Sequence, residues 1–340
     1  MNASLSGQHF PMRFNALVIE TTTRCNAKCG MCYQSSGPKG HDLHGIQELK
    51  LEVLKKVVSD AIKVPNLVKR LHVAGGEAFL NEKLVFELLA HGRDTGFTQI
   101  TMTTNAIWGS SDKRAEKICA QLSNAGMTEI EISWDYWHLA YIDPMRIVRV
   151  LRACKKYNIG TILRILTTQA HSIGEALRLL GDDWTLADRV LTGAVFATGR
   201  AVDELDPEEI FPDSVSESAT CHAFLNLTVN ANGNVYPCCA GIDQTTSPEL
   251  GNVYREPINE VAARMTNNLW VRQLVFGGIL SVEKIVEEDG YQHKKPESGS
   301  MCTRCWYLFS DRKAAEIVKA KGLETGKDML KRARAALVDA

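Results

Sequence analysis

From Ala16 to about Arg200 the chain alternates short β-branched runs with amphipathic segments, and few folds accommodate that alternation. Strands separated by helices pair in parallel through crossover connections, so the expected class is α/β. The strand candidates are residues 16–21, 69–74, 98–103, 128–133, 161–167 and 189–196. Between them, residues 47–63 carry Val53, Leu54, Val57, Val58, Ala61 and Ile62 at helical spacing, and residues 112–124 form a second such segment. Asp143-Pro144 supplies a capping carboxylate and a first-turn proline for a helix running to Tyr157. Six β/α units make three quarters of a closed eight-unit barrel, a partial (β/α)6 barrel whose reactive groups belong at the carboxyl ends of its strands.

Past Arg200 the pattern stops. Residues 203–218 are acidic and contain Pro207 and Pro212, the composition of a bridge, and a second region opens at Cys221. The expected division is an N-terminal extension at 1–14, the barrel at 15–200, a bridging segment at 201–220, a small α+β domain at 221–312 and a C-terminal helix at 313–340. A chain of 340 residues, 45% hydrophobic and 23% charged, can bury a full core. Its formal net charge of −1 offers no basic surface for nucleic acid or an anionic membrane. Residues 1–11 lack the basic start and apolar run of a secretory signal, and no apolar stretch approaches the ~20 residues that span a bilayer. The expectation is a cytoplasmic protein with neither nucleic acid nor membrane as partner. In that compartment ten clustered cysteines point to metal or catalysis rather than disulfides.

Directly after the first strand comes Thr21-Thr-Thr-Arg-Cys25-Asn-Ala-Lys-Cys29-Gly-Met-Cys32-Tyr33, a C-x3-C-x2-C arrangement. On a helix these thiols would share one face as small buried hydrophobes, but Asn26 and Gly30 weaken a helix here. Zinc wants four ligands, and the next Cys or His in the loop is His41. Three thiolates on a four-iron cluster leave one iron open, as a chemical site requires.

This spacing resembles the signature of the radical S-adenosylmethionine (SAM) superfamily. The resemblance implies that the methionyl amine and carboxylate of SAM chelate the open iron of a [4Fe-4S] cluster held by Cys25, Cys29 and Cys32. One electron then releases a 5′-deoxyadenosyl radical that abstracts hydrogen from a substrate. Further motifs follow in the family's order. Gly75-Gly76-Glu77 is similar to the GGE triplet that holds the SAM amino group, although Ala78 stands where proline is frequent. Tyr33 is similar to the residue beside the adenine. Thr104-Asn105 resembles the family's TNG, with Ala106 in place of the glycine. Gly199-Arg200-Ala201 resembles its GRA segment. Arg164, inside a strand expected to be buried, needs an anionic partner. The resemblance names the SAM carboxylate, assisted by Ser133; a nearby Asp or Glu would serve as well.

The second region carries Cys221, then Cys238 after Asn232-Gly233, then Cys302-Thr-Arg-Cys305. This set resembles the auxiliary-cluster module called SPASM, in its shortened twitch form, and implies a second [4Fe-4S] cluster on Cys221, Cys238, Cys302 and Cys305; structural zinc is the alternative. Residues 229–236 read as a hairpin turning at Asn232-Gly233. Residues 258–274 read as a helix, and residues 283–299 as a polar surface loop. Cys239 is a spare thiol, or the ligand with Cys238 spare; in radical epimerases such a thiol returns a hydrogen atom to the substrate. Cys119 and Cys154 lie on apolar helix faces and belong to the core.

Trp134-Asp135-Tyr136-Trp137-His138 follows the fourth strand, and Asp135 and His138 are the groups there that could accept or deliver a proton. Alternatively this segment is packing, with a structural histidine. The function expected is an oxidoreductase or maturase that removes hydrogen from a peptide, giving oxidation, crosslinking or epimerisation. A small natural product such as an aminocyclitol is the alternative substrate, and an iron-sulfur or zinc protein without catalysis the alternative class. An electron donor such as flavodoxin or ferredoxin is the implied partner.

Overall fold

The computed structural model describes residues 12–321 apart from 213–214, 217–218, 222–224, 248 and 298. All six expected strands are present: β1 (Leu17–Glu20), β2 (Arg70–Ala74), β3 (Gln99–Thr104), β4 (Glu129–Ser133), β5 (Gly160–Thr167) and β6 (Arg189–Ala194). They run parallel in the order β6-β5-β4-β3-β2-β1.

The crossover helices are α1 (Leu51–Ala61), α2 (Glu82–Thr95), α3 (Asp112–Asn124), α4 (Pro144–Lys156) and α5 (Ile173–Leu180). Their starts are fixed locally: Asn81 accepts a hydrogen bond from the Leu84 amide, Ser111 from Arg114 and Asp143 from Met145. Their apolar stripes cover one face of the sheet, where Leu71, Val73, Ile100, Met102, Ile130, Ile132, Leu163 and Ile165 are buried. Cys119 and Cys154 meet there with Sγ atoms 3.7 Å apart, inside the core as expected. The other face, carrying Glu20, His72, Thr101, Thr103, Glu131 and Arg164, lines the lumen.

The second region does not stand apart from the barrel. Its hairpin, β7 (Leu227–Val229) and β8 (Val235–Tyr236), turns at Gly233 as expected and then continues the barrel sheet. β7 pairs parallel with β1, Leu17 opposite Leu227 and Ile19 opposite Val229, giving one eight-stranded sheet. The bridge opens with the short α6 (Ala201–Glu204) and is tied back where Gln169 donates to the carbonyls of Glu208 and Ile210.

Two expectations are corrected. The helix at 258–274 is two helices, α7 (Ile258–Asn267) and α8 (Leu269–Glu288), because the Asn268 side chain caps the second by accepting from the Trp270 and Val271 amides. α8 runs, with a break at Gly278, into the stretch expected to be a surface loop. Glu283 there is 2% exposed, since it makes a bidentate pair with Arg304 at 3.0 and 2.6 Å. Arg304 lies on α9 (Met301–Ser310), the helix that carries Cys302 and Cys305. A further helix begins at residue 312 and is described to 321; the rest of the C-terminal helix expected at 313–340, and residues 1–11 of the extension, lie outside the described residues.

Candidate active site

The three-cysteine loop leaves the carboxyl end of β1, as a barrel requires of reactive groups. Cys25 and Cys29 are buried and Cys32 is half-buried. The loop is pinned to the end of β2, where the Gly76 amide donates to the Thr22 carbonyl at 2.8 Å and the Glu77 amide to the Arg24 carbonyl at 2.8 Å. A Cβ at Gly76 would lie 2.2 Å from the Arg24 oxygen, so the paired glycines are what admits this approach. On its other side the loop is clamped by the Gly199-Arg200-Ala201 segment. Gly199 has φ +58° and leaves no room for a Cβ against the Tyr33 carbonyl. Arg200, 3% exposed, donates to Asp42 at 2.7 Å, to the Cys29 carbonyl at 2.8 Å and to the Ser36 carbonyl at 2.7 Å.

Glu77 is fully enclosed. Its carboxylate accepts from the Thr104 hydroxyl at 3.0 Å, the Asn105 amide at 2.8 Å and the Phe79 amide at 3.1 Å, tying β2 to β3. Burial raises its pKa, which those hydrogen bonds partly offset. The Asn105 side chain donates to Asn26 at 2.9 Å and faces the Cys25 sulfur at 3.6 Å. Ala106 has φ +60°, the left-handed conformation for which glycine is suited, yet is fully buried. The Tyr33 hydroxyl donates to Glu20 at 3.4 Å.

Asp135 and His138 form a buried pair, Nδ1 to Oδ1 2.7 Å, against the Cys29 thiol. Burial lowers the imidazole pKa, but Asp135 and then Cys29 outweigh it and hold the value well above the ordinary one. These two side chains are 1% and 7% exposed, and the exposed aromatic here is Tyr136, stacked on His171 at 3.4 Å. Trp134 is core and donates to the Ala176 carbonyl at 2.9 Å. Ser133 sits opposite Arg164 in the β4–β5 register. Arg164 has the carboxylate partner its position demands: Glu131 takes Nε at 3.1 Å and Nη2 at 3.0 Å.

The thiols of the second region act on one another electrostatically. Burial, then the neighbouring charges of Cys238, Cys221 and Cys302, raises Cys305 well above the ordinary thiol value. Burial also raises Cys238, together with Cys302, Cys239 and Cys221. Cys302 is pushed up to about 12 by burial and Cys221, and Cys221 to about 11 by burial. Cys239 is likewise pushed up to about 12, by burial and then by the charges of Glu20, Cys302 and Glu131. Glu20 and Glu131 both belong to the lumen face.

Both thiol sets suit iron. Desolvated thiols that repel one another as anions are poor free acids, and a bound metal supplies the missing positive charge. Among the described residues no three His, Cys, Asp or Glu side chains converge as they would on a single ion; a cluster of several irons spreads its thiolates wider.

Residues 19–178 match the family model of the radical SAM superfamily, and residues 221–306 that of the SPASM iron-sulfur cluster-binding domain. The chain is a radical SAM protein with a SPASM domain. A radical SAM domain binds SAM and a [4Fe-4S] cluster, and a SPASM domain binds auxiliary iron-sulfur clusters. Over 302 residues it is 24% identical to the "Putative peptide biosynthesis protein YydG" of Bacillus subtilis strain 168, covering 86% of this chain and 91% of that one. A GTP 3′,8-cyclase of Peptoclostridium acidaminophilum is 28% identical over 134 residues, 39% of this chain and 38% of the cyclase. Native anSMEcpe with bound AdoMet has the same fold, with a TM-score of 0.54 at 15% identity over 92% of this chain and 99% of that one. Among the described residues no helix is long and apolar enough to cross a membrane.

Sequence reasoning noticed the GRA segment of this radical SAM domain but not the clamp that Arg200 makes, and it missed Glu131 and Glu283. Glu131 was legible in principle, because it alternates with Ser133 on β4 and so shares its face. Glu283 was not, since its pairing with Arg304 depends on how α8 and α9 dock.

Proposed function

We propose that the chain modifies a peptide by radical chemistry, with epimerisation of a residue as the outcome. The observation that carries this reading is a second buried thiol next to Cys238: Cys239 feels the charges of Glu20 and Glu131, which belong to the lumen face, as well as that of Cys302. The likeness to a peptide-biosynthesis protein over most of both chains supports a peptide as substrate.

When bound, the first cluster and SAM supply a 5′-deoxyadenosyl radical, which removes one hydrogen from a substrate carbon. The residues would divide the work as follows. Cys25, Cys29 and Cys32 hold the first cluster, with His138 and Asp135 fixing Cys29 rather than touching substrate. Gly75, Gly76 and Glu77 receive the SAM amino group, Tyr33 and Asn105 flank the adenosyl portion, and Ser133 and Arg164 receive the carboxylate. Cys221, Cys238, Cys302 and Cys305 hold the auxiliary cluster. Cys239 gives its sulfur-bound hydrogen to the substrate radical from the face opposite the abstraction, inverting the centre. One electron and one proton then restore the thiol; a protein of the flavodoxin or ferredoxin class would supply electrons in the cell.

The second reading, oxidation or crosslinking, rests on the four thiols near Cys239, which would hold an auxiliary iron-sulfur cluster able to accept an electron. Anaerobic incubation with SAM, dithionite and peptide in D2O separates the two. Epimerisation places one solvent deuterium at an inverted centre, and Cys239→Ala abolishes that label while 5′-deoxyadenosine is still released. An oxidised product without deuterium favours the second reading. Absence of 5′-deoxyadenosine from fully iron-loaded protein defeats both.

A further inference from the structure

We propose that Glu131 is a positioning residue for SAM: it presets the Arg164 guanidinium so that the end of the fork is offered to the methionyl carboxylate. This rests on the assignment of Arg164 made above.

A guanidinium carries five N–H donors in one plane. Glu131 engages one edge side-on, through Nε at 3.1 Å and Nη2 at 3.0 Å. That geometry directs the remaining donors, two on Nη1 and one on Nη2, away from Glu131 in the plane of the fork, where a second carboxylate can be received in parallel bonds. Strand register fixes the direction. Glu131 and Ser133 share one face of β4, Ser133 lies directly opposite Arg164, and Glu131 lies opposite Ile162, one pleat nearer the amino end. Arg164 therefore starts level with Ser133, one pleat nearer the strand termini, and reaches back along the lumen to its carboxylate. The pair is neither sealed nor loose, with side-chain exposures of 32% for Arg164 and 23% for Glu131, so a ligand can still reach it.

Glu131 also acts on a histidine of the lumen face. His72, half-buried on β2, bonds the Thr101 hydroxyl at 2.8 Å and the Thr103 hydroxyl at 3.1 Å; desolvation lowers its pKa and the charge of Glu131 partly offsets that. Arg is among the side chains that lose most rotamer freedom when fixed. With Glu131 in place that loss falls on folding, not on SAM binding, and preorganisation of this kind shows up as affinity. A bare competitor would act in the opposite sense: neutralising it would free Arg164 and tighten SAM binding.

The test uses iron-reconstituted full-length protein and equilibrium dialysis of SAM itself, with iron content and far-UV circular dichroism matched to wild type. Glu131→Leu should weaken SAM binding about tenfold, and Glu131→Gln, which keeps one acceptor, by less. The KM for SAM in 5′-deoxyadenosine release should rise in step, with turnover at saturating SAM much less affected. Introducing Glu131→Leu into Arg164→Ala should weaken binding no further. Unchanged or tighter SAM binding by both Glu131 variants, while Arg164→Ala weakens it, overturns the inference and leaves the assignment of Arg164 standing. If Arg164→Ala binds SAM as wild type does, both fall.

Discussion

Arg200 shows how much one buried side chain settles. Three acceptors on the cluster loop, the Asp42 carboxylate and the carbonyls of Cys29 and Ser36, converge on a guanidinium that solvent hardly reaches. A single ammonium cannot span them, so Arg200→Lys should recover little of what Arg200→Ala loses. The alanine variant is expected to cost about 3 kcal/mol in urea unfolding, because it leaves buried acceptors unpaired, and to lower iron per chain on reconstitution. At this scale the sequence was informative about residue type and position. The three thiols, the glycine pair and the need of Arg164 for an anion could all be read from it. Which anion could not, because Glu131 and a ligand carboxylate satisfy the same guanidinium. His138 illustrates the same limit: spacing placed it by the catalytic end of the sheet, and only packing turned it toward Cys29.

At the scale of elements, local signals were sufficient wherever the partner was a sequence neighbour. The six strands, the capped starts of α3 and α4 and the turn at Asn232-Gly233 follow from alternation, caps and turn chemistry. The destination of the hairpin was hidden, since a three-residue strand does not say which distant edge it will join. The break at Asn268 was hidden for a related reason, in that a capping side chain can start a new helix without interrupting an apolar pattern. Gly233 has φ +88°, and a Cβ there would meet the Tyr254 ring at 2.6 Å. Gly233→Ala should therefore destabilise the protein by about 2 kcal/mol in urea unfolding. An unchanged midpoint would mean that the turn relaxes without cost.

For the whole molecule, the sheet crosses the boundary drawn from composition. β1 lies between β2 and β7, so the barrel's first strand becomes an edge when the second region is removed. A chain ending at residue 220 would expose that edge together with the apolar surface that Leu227, Val229 and Val235 now cover. It should be recovered as aggregate rather than as a monomeric barrel, and a monodisperse peak on size exclusion would show instead that the barrel is self-sufficient. A composition shift such as that near residue 203 does not report hydrogen bonds between distant segments.

β1 also bears on how the two thiol sets are spaced. The loop with Cys25, Cys29 and Cys32 springs from its end, and the hairpin leading to Cys238 and Cys239 is stitched along its flank at Leu17, Val18 and Ile19. The spacing of the two thiol sets is thus dictated by a ladder rather than a tether. A slip of one two-residue repeat would carry one set past the other by about 6.6 Å, a step too coarse for thermal drift to blur.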